Sequence, residues 1–161
     1  LPPESLEALE YIARHIHIPI ANGERFYNIY QFKDMIDRKI VSLIRPDVSV
    51  AGGFTQTKKI AAIAESAFIG IFPHLMGSPV NNAAFTHLAA AIPNYPLMEA
   101  NPHDQARSDL VDEPFKIENG YRHFPDRPGI GVEINEDALD KLPFEPRKIT
   151  GNFHADGSIA H

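Results

Sequence analysis

The chain has 161 residues and contains no cysteine. This absence excludes disulfide bonds, thiolate metal sites and thiol nucleophiles, and it fits a cytoplasmic protein. Any metal site must therefore use oxygen or imidazole ligands, which 21 acidic residues and eight histidines can supply. Oxygen-rich ligand sets suit hard cations such as magnesium.

Long apolar runs and basic stripes are also missing. No apolar stretch reaches the roughly 20 residues that a membrane-spanning helix needs, so we expect no membrane partner. Acidic and basic residues are mixed along the chain, and the formal net charge is −6. A nucleic-acid partner is therefore not expected either.

Helix-like and strand-like patterns alternate through the first hundred residues. Four segments have the apolar spacing of amphipathic helices: 4–16, 29–38, 55–66 and 79–91. Four short apolar runs alternate with them and are typical of buried strands: 18–21, 40–44, 68–72 and 95–98. Thr55 is the expected N-cap of the third helix. This alternation predicts an α/β fold with a parallel sheet covered by helices.

The spacing of the strand-like runs narrows the architecture. The runs end near positions 24, 47, 74 and 99, which gives intervals of 23, 27 and 25 residues. Such intervals suit the repeating unit of a (β/α)8 barrel, and a whole barrel needs about 250 residues. We therefore expect 1–99 to form half of a barrel. The remainder, 100–161, is rich in Pro, Gly and His and predicts an extended C-terminal segment, with a turn and short strand over 126–134 and a helical turn over 136–141.

An ionisable residue stands at the end of each strand-like run: Glu24, Asp47, His74 and Glu99. The C-terminal ends of parallel barrel strands surround one pocket, where catalytic groups are found. We therefore expect these four side chains to converge on a single site.

Asp47 and His74 end neighbouring strands, so their side chains can meet. A carboxylate on one imidazole nitrogen fixes the tautomer and leaves the other nitrogen free to exchange a proton. The alternative is structural: Asp47 caps the following loop, and His74 is a polar residue with satisfied hydrogen bonds.

The other ionisable residues near the strand ends allow two interpretations each. Glu24 follows Gly23 and could bind a divalent cation, or it could pair with Arg25 in a loop. Glu99 could donate a proton near a developing oxyanion, or it could be a surface residue. Arg45 shares a strand face with Asp47 and could contact a substrate carboxylate or hydroxyl, or it could form a structural salt bridge.

The ordered set of motifs resembles the C-terminal half of the mandelate racemase group of the enolase superfamily, and is most similar to sugar-acid dehydratases of the galactonate type. The motifs that carry this resemblance are IPIANGE at 18–24, RPDV at 45–48, AGGFT at 51–55, Pro73-His74, LME at 97–99, PGIGVEI at 128–134 and DGSIA at 156–160.

The resemblance implies a role for each of the four residues at the strand ends. Glu24 matches the third of three carboxylates that bind Mg²⁺. Asp47 and His74 match an aspartate–histidine pair in which His74 is the general base or acid. Glu99 matches the carboxylic acid of the eighth strand that contacts the substrate carboxylate, so the four strands would be the fifth to the eighth.

The implied reaction is that of a hydro-lyase, a carbon–oxygen lyase. A proton is abstracted next to the carboxylate of a sugar acid, an enediolate forms, and loss of the β-hydroxyl gives a 2-keto-3-deoxy acid. The family's N-terminal half, with the other metal ligands and a second base, is expected from the same or another chain, in a homo-oligomer. Without it we expect weak magnesium binding and no turnover. The alternatives are a racemase or cycloisomerase of the same superfamily, or a non-catalytic half-barrel.

Overall fold

The computed structural model describes residues 3–100, 108–112, 115–142, 146 and 153–158 of the chain. In the first range, helices and strands alternate: α1 Leu6–Ala13, β1 Ala21–Asn22, α2 Ile29–Asp37, β2 Leu43–Ile44, α3 Gly53–Ser66, β3 Gly70–Ile71 and α4 Pro79–Ala90. Beyond it the described elements are β4 Ile117–Glu118, β5 Tyr121–Arg122 and α5 Glu136–Asp140.

The first three strands form a parallel sheet in the order β1-β2-β3. Ala21 is in register with Leu43, and Leu43 is in register with Gly70. Each crossover between neighbouring strands contains one helix, which is the connection that parallel strands require. The predicted α/β architecture with strands alternating with helices is confirmed.

The strands are shorter than the apolar runs predicted, and the first of them begins later than expected. The run 18–21 was expected to be a buried strand, but Ile18 is 73% exposed. Pairing starts at Ile20, whose carbonyl accepts from Ser42 N at 2.9 Å. Pro19 has no backbone N–H to donate to a ladder, so the regular strand begins only after it.

The fourth apolar run, 95–98, is not a strand among the residues that the structure describes, which corrects the expected eighth strand. The residue just before this segment pairs with the sheet, since Ile71 N donates to Asn94 O at 2.7 Å. The Asn94 side chain also donates to Ile69 O at 3.0 Å and Ala61 O at 3.1 Å. Bonds from Asn94 thus hold the start of the segment against α3 and the beginning of β3. Pro96 lacks the N–H that would continue a ladder.

The helices cover the sheet with apolar stripes at helical spacing. The fully buried large side chains include Phe32 and Met35 of α2, Ile60 of α3, and Phe85 and Leu88 of α4. They form one core cluster with Ile44 and Ile71 of the sheet. Burying an apolar side chain of this size contributes about 1.5–3 kcal/mol, so this core fixes the positions of the strand ends.

The start of α3 differs from the predicted one. Thr55 was expected to be the N-cap, but the N-cap is Gly52 and Thr55 lies inside the first turn. Gly52 and Gly53 have φ of +93° and +77°, a left-handed backbone that glycine adopts without steric cost. Gly53 N donates to Val48 O at 2.8 Å. The two glycines therefore let the chain turn into the helix earlier than a threonine cap would.

The described part of the C-terminal segment contains a hairpin that the sequence analysis did not predict. Strands β4 and β5 pair antiparallel across Asn119-Gly120, and both turn residues have positive φ, as a type I′ turn requires. The expected short strand over 126–134 is reduced to one bridge between Ile134 and Val111. Helix α5 lies where the helical turn was predicted.

Several residues of 100–161 lie outside the described ranges, so the division of the chain at residue 99 stays a prediction. None of the helices in the described ranges is long and apolar enough to cross a membrane.

Candidate active site

The loops that leave β1, β2 and β3 bring polar side chains to one edge of the parallel sheet. Glu24, Asp47 and His74 each follow their strand by two or three residues. The backbone aligns these loops, since Arg45 N donates to Asn22 O at 2.9 Å and His74 N donates to Pro46 O at 3.3 Å. We call this edge, with Arg45 and Glu99, the rim.

Asp47 and His74 are in direct contact. The Nδ1 atom of His74 lies 3.0 Å from Oδ2 of Asp47. Asp47 is buried, with 3% of its surface exposed, and its other carboxylate oxygen accepts from Ser49 N at 2.8 Å. Both interpretations of Asp47 therefore describe the geometry, because one oxygen caps the loop and the other meets the imidazole.

Glu24 lies on the other side of the imidazole. Its Oε2 atom is 4.0 Å from Nε2 of His74 and 3.6 Å from Nε of Arg45. The side chain is 41% exposed, so it is accessible from the open side of the rim. Gly23 has φ of +124°, and a Cβ atom there would lie 2.6 Å from the Phe32 ring. The conformation that places Glu24 therefore requires glycine.

Arg45 and Glu99 form an ion pair. The Nη2 atom of Arg45 donates to Oε2 of Glu99 at 2.9 Å, and Leu75 N donates to the same oxygen at 2.7 Å. The Arg45 guanidinium also lies over the Phe72 ring, 4.7 Å from its centroid. Segment 95–99 is thus tied to β2 and to the loop after β3.

The structure brings all five residues that the sequence analysis selected into one connected set. Contacts run from Asp47 to His74, from His74 to Glu24, from Glu24 to Arg45 and from Arg45 to Glu99. The expected convergence is therefore observed, whereas the chemical role of each residue stays a prediction.

The rim does not amount to a magnesium site by itself. Glu24 supplies the hard oxygen ligand that Mg²⁺ prefers, but the described residues contain no group of three or more His, Asp or Glu side chains placed to hold a metal ion. One carboxylate, already near two cationic or potentially cationic nitrogens, cannot hold the ion alone. The described residues therefore supply at most part of a metal site.

A cavity of about 670 Å³ adjoins the rim at Glu99. Its walls include Tyr95 and Met98 from the segment before Glu99, and Ile117 and Tyr121 from the β4–β5 hairpin. Burial raises the pKa of the Tyr95 hydroxyl. The hairpin therefore contributes to the surroundings of Glu99, and its Asn119-Gly120 turn signal was present in the sequence.

Other contributors to the rim were missed because the sequence gives little sign of them. Leu75 acts through its backbone N–H, which residue type does not reveal. Phe72 packs under Arg45 although it reads as an ordinary strand residue. Ser49 links the Asp47 loop to α4 through its hydroxyl, which lies 2.7 Å from Oδ1 of Asn81.

Comparison with known proteins identifies the family. The family model described as enolase C-terminal domain-like matches residues 1–138. The chain belongs to this family. The resemblance noted in the sequence is thereby confirmed, as is the assignment to a barrel-type α/β domain.

Two similar proteins are named as dehydratases of sugar acids. The chain is 35% identical over 170 residues to the D-galactonate dehydratase of Ralstonia pickettii, with 98% of this chain and 44% of the relative covered. It is 32% identical over 141 residues to the D-xylonate dehydratase of Haloferax volcanii, with 87% of this chain and 34% of the relative covered.

A solved structure gives a similar match. An enolase from Pantoea ananatis with bound D-gluconate and Mg superimposes with a TM-score of 0.86 at 32% identity, covering 99% of this chain and 39% of that one. The chain thus spans about two fifths of the length of the proteins it matches.

Proposed function

We propose that this chain carries the aspartate–histidine part of the active site of a magnesium-dependent sugar-acid dehydratase. The observation that supports this most directly is the contact between His74 Nδ1 and Asp47 Oδ2 at 3.0 Å, at the strand ends where barrel enzymes hold their catalytic groups. Relatives named D-galactonate and D-xylonate dehydratase support the choice of reaction.

In this proposal His74 transfers a proton at Nε2. Its Nδ1 atom is held by a buried carboxylate, which fixes the tautomer and orients the ring, so only Nε2 can exchange a proton with substrate. Across the whole reaction, the carbon next to the substrate carboxylate loses a proton and the neighbouring carbon loses its hydroxyl as water. His74 serves as the general base or acid of that sequence.

Glu99 is proposed to contact the substrate carboxylate. Two donors, Arg45 Nη2 and Leu75 N, bind its Oε2 atom and hold the carboxyl group in place. A group fixed in this way is preorganised for a substrate, which is how positioning lowers a reaction barrier.

Glu24 is proposed to be one ligand of Mg²⁺ in the complete protein. A hard dication stabilises the negative charge that develops when a proton leaves the carbon beside a carboxylate. The remaining ligands would come from the part of the complete protein that corresponds to the uncovered part of its relatives. The gluconate-bound and Mg-bound Pantoea enolase supports this choice of cation and substrate class.

The complete protein is further proposed to be a homo-oligomer, as the family resemblance implies, and to be cytoplasmic, which the lack of cysteine fits. Light scattering after size-exclusion chromatography of the complete protein checks the assembly. A monomer would contradict this part of the proposal and leave the chemistry untouched.

The reaction is tested by incubating the complete protein with Mg²⁺ and a panel of sugar acids. We expect release of a 2-keto-3-deoxy acid from at least one of them, and loss of that activity with EDTA. Exchange of the α proton in heavy water without dehydration would instead favour a racemase or cycloisomerase. A folded protein that neither dehydrates nor exchanges any substrate would favour a non-catalytic half-barrel.

A further inference from the structure

The Arg45 guanidinium lies between two carboxylates of the rim. Its Nη2 atom is 2.9 Å from Glu99 Oε2, and its Nε atom is 3.6 Å from Glu24 Oε2. The side chain is 14% exposed, and its guanidinium lies over the Phe72 ring. Arg45 therefore contacts both acids and has little freedom to turn away from them.

The shape of the guanidinium suits this position. Its donors point in several fixed directions within one plane, so Nη2 and Nε can face different acceptors at the same time. The aromatic ring beneath it adds a cation–π contact that favours this orientation. A lysine ammonium is a point charge on a flexible stem and could not reproduce both contacts together.

We propose that Arg45 is a positioning residue that fixes Glu99 relative to Glu24, rather than a group that binds the substrate. Glu99 Oε2 receives one bond from the Arg45 side chain on β2's end and one from Leu75 N after β3. Segment 95–98 has no strand ladder, and Asn94 holds only its start. These two bonds therefore restrain its other end, at Glu99. This role rests on the proposed function of Glu24 and Glu99 at the rim.

A double-mutant cycle in the complete, magnesium-loaded protein tests the inference. Arg45→Met, Glu99→Gln and the double variant are compared in kcat and KM. We expect Arg45→Met to lower kcat about 10- to 100-fold, the size of losing a hydrogen bond between charged groups, with little change in KM. In the Glu99→Gln background the same substitution should cost less than about 3-fold, because residues acting together are not additive.

Two further variants sharpen the cycle. Arg45→Lys should recover part of the lost kcat, because it keeps the charge near one carboxylate. Arg38→Met is the matched control: Arg38 also pairs with several acids, Glu7, Glu10 and Asp34, but on α1 and α2. It should leave kcat and KM unchanged.

Additive losses in kcat, or a raised KM with unchanged kcat in Arg45→Met, would overturn the inference in favour of substrate binding. The wild type and the three variants of the cycle are also unfolded in urea. This measures their free energies of unfolding and does not depend on enzyme activity. A wild type inert on every sugar acid would contradict the proposed function. Non-additive losses of unfolding free energy would still support the Arg45–Glu99 restraint. Additive losses of unfolding free energy would overturn the restraint whether or not the enzyme is active.

Discussion

The Nδ1 atom of His74 lies 3.0 Å from Oδ2 of Asp47, across the ends of two neighbouring parallel strands. A buried carboxylate is costly unless it is hydrogen-bonded, and Asp47 meets this requirement with His74 on one oxygen and Ser49 N on the other. The loop and the imidazole are therefore fixed by the same group. As a consequence, Nδ1 of His74 is hydrogen-bonded to Asp47, and Nε2 lies on the side of Glu24.

Replacing Asp47 with asparagine tests whether this charge matters for the chemistry. The amide keeps the size of the side chain and an oxygen for Ser49 N, but it removes the negative charge that orients the imidazole. We expect kcat of the complete protein to fall by about 10²–10⁴-fold, with a small change in stability. Steady-state kinetics and thermal unfolding measure the two effects.

Asp37→Asn is the matched control for that substitution, because Asp37 is an exposed residue of α2 paired with Lys33. It should leave kcat unchanged. A folded Asp47→Asn protein with wild-type kcat would show that Asp47 only caps its loop.

Gly23→Ala tests the backbone that carries Glu24. At φ of +124°, with the Phe32 ring 2.6 Å from the added Cβ atom, the variant must shift the loop or the ring. We expect a loss of unfolding free energy of about 1–3 kcal/mol, together with weaker magnesium binding by the complete protein. Urea unfolding and magnesium titration measure these effects.

Gly129→Ala is the control for an alanine at positive φ that has no packing neighbour. Gly129 also has positive φ, at +67°, but no atom lies within 4 Å of an added Cβ. It should lower the free energy of unfolding by less than Gly23→Ala does, and it should leave magnesium binding unchanged. Equal losses in the two variants would mean that the packing against Phe32 is unimportant.

Asn94→Ala tests what holds the segment that leads to Glu99. The substitution removes the donor to two carbonyl groups, Ala61 O and Ile69 O. We expect a loss of about 1–3 kcal/mol from the unsatisfied groups. Amides of 95–99 should also exchange faster with heavy water, because the start of the segment loses two of its bonds and keeps the backbone bond from Ile71 N to residue 94.

The control for this variant is Asn28→Ala, which removes the N-cap of α2. It should lower the free energy of unfolding by about 0.5–2 kcal/mol. It should not speed exchange at 95–99. If exchange at 95–99 is equal in Asn94→Ala and the wild type, Asn94 does not hold this segment.

The sequence predicted the parallel architecture because its signals are local. Continuous apolar runs around Ile44 and Ile71 indicate strands buried on both faces, and the ionisable residues that follow them fall at one edge of the sheet. The convergence of Asp47 and His74 could therefore be expected before any coordinates were known.

Other features depend on contacts that a sequence pattern does not encode. Ile18 is apolar but exposed, and strand pairing begins only after Pro19. The segment 95–98 looks like a strand, yet bonds at Asn94 before it and at Glu99 after it hold it in place of a ladder. Thr55 is a good cap by residue type, but the positive φ of Gly52 and Gly53 starts α3 earlier. In each case a proline, a glycine or a side-chain bond overrides the apolar pattern.

His74→Asn in the complete, magnesium-loaded protein is the most direct test of the account. Asparagine retains a polar side chain but cannot exchange a proton at the position of Nε2. We expect formation of the 2-keto-3-deoxy acid to fall by about 10²–10⁴-fold, while His17→Asn, at an exposed histidine of the α1–β1 connection, leaves it unchanged. A folded His74→Asn protein that dehydrates its sugar acid at the wild-type rate would contradict the proposed role of the rim.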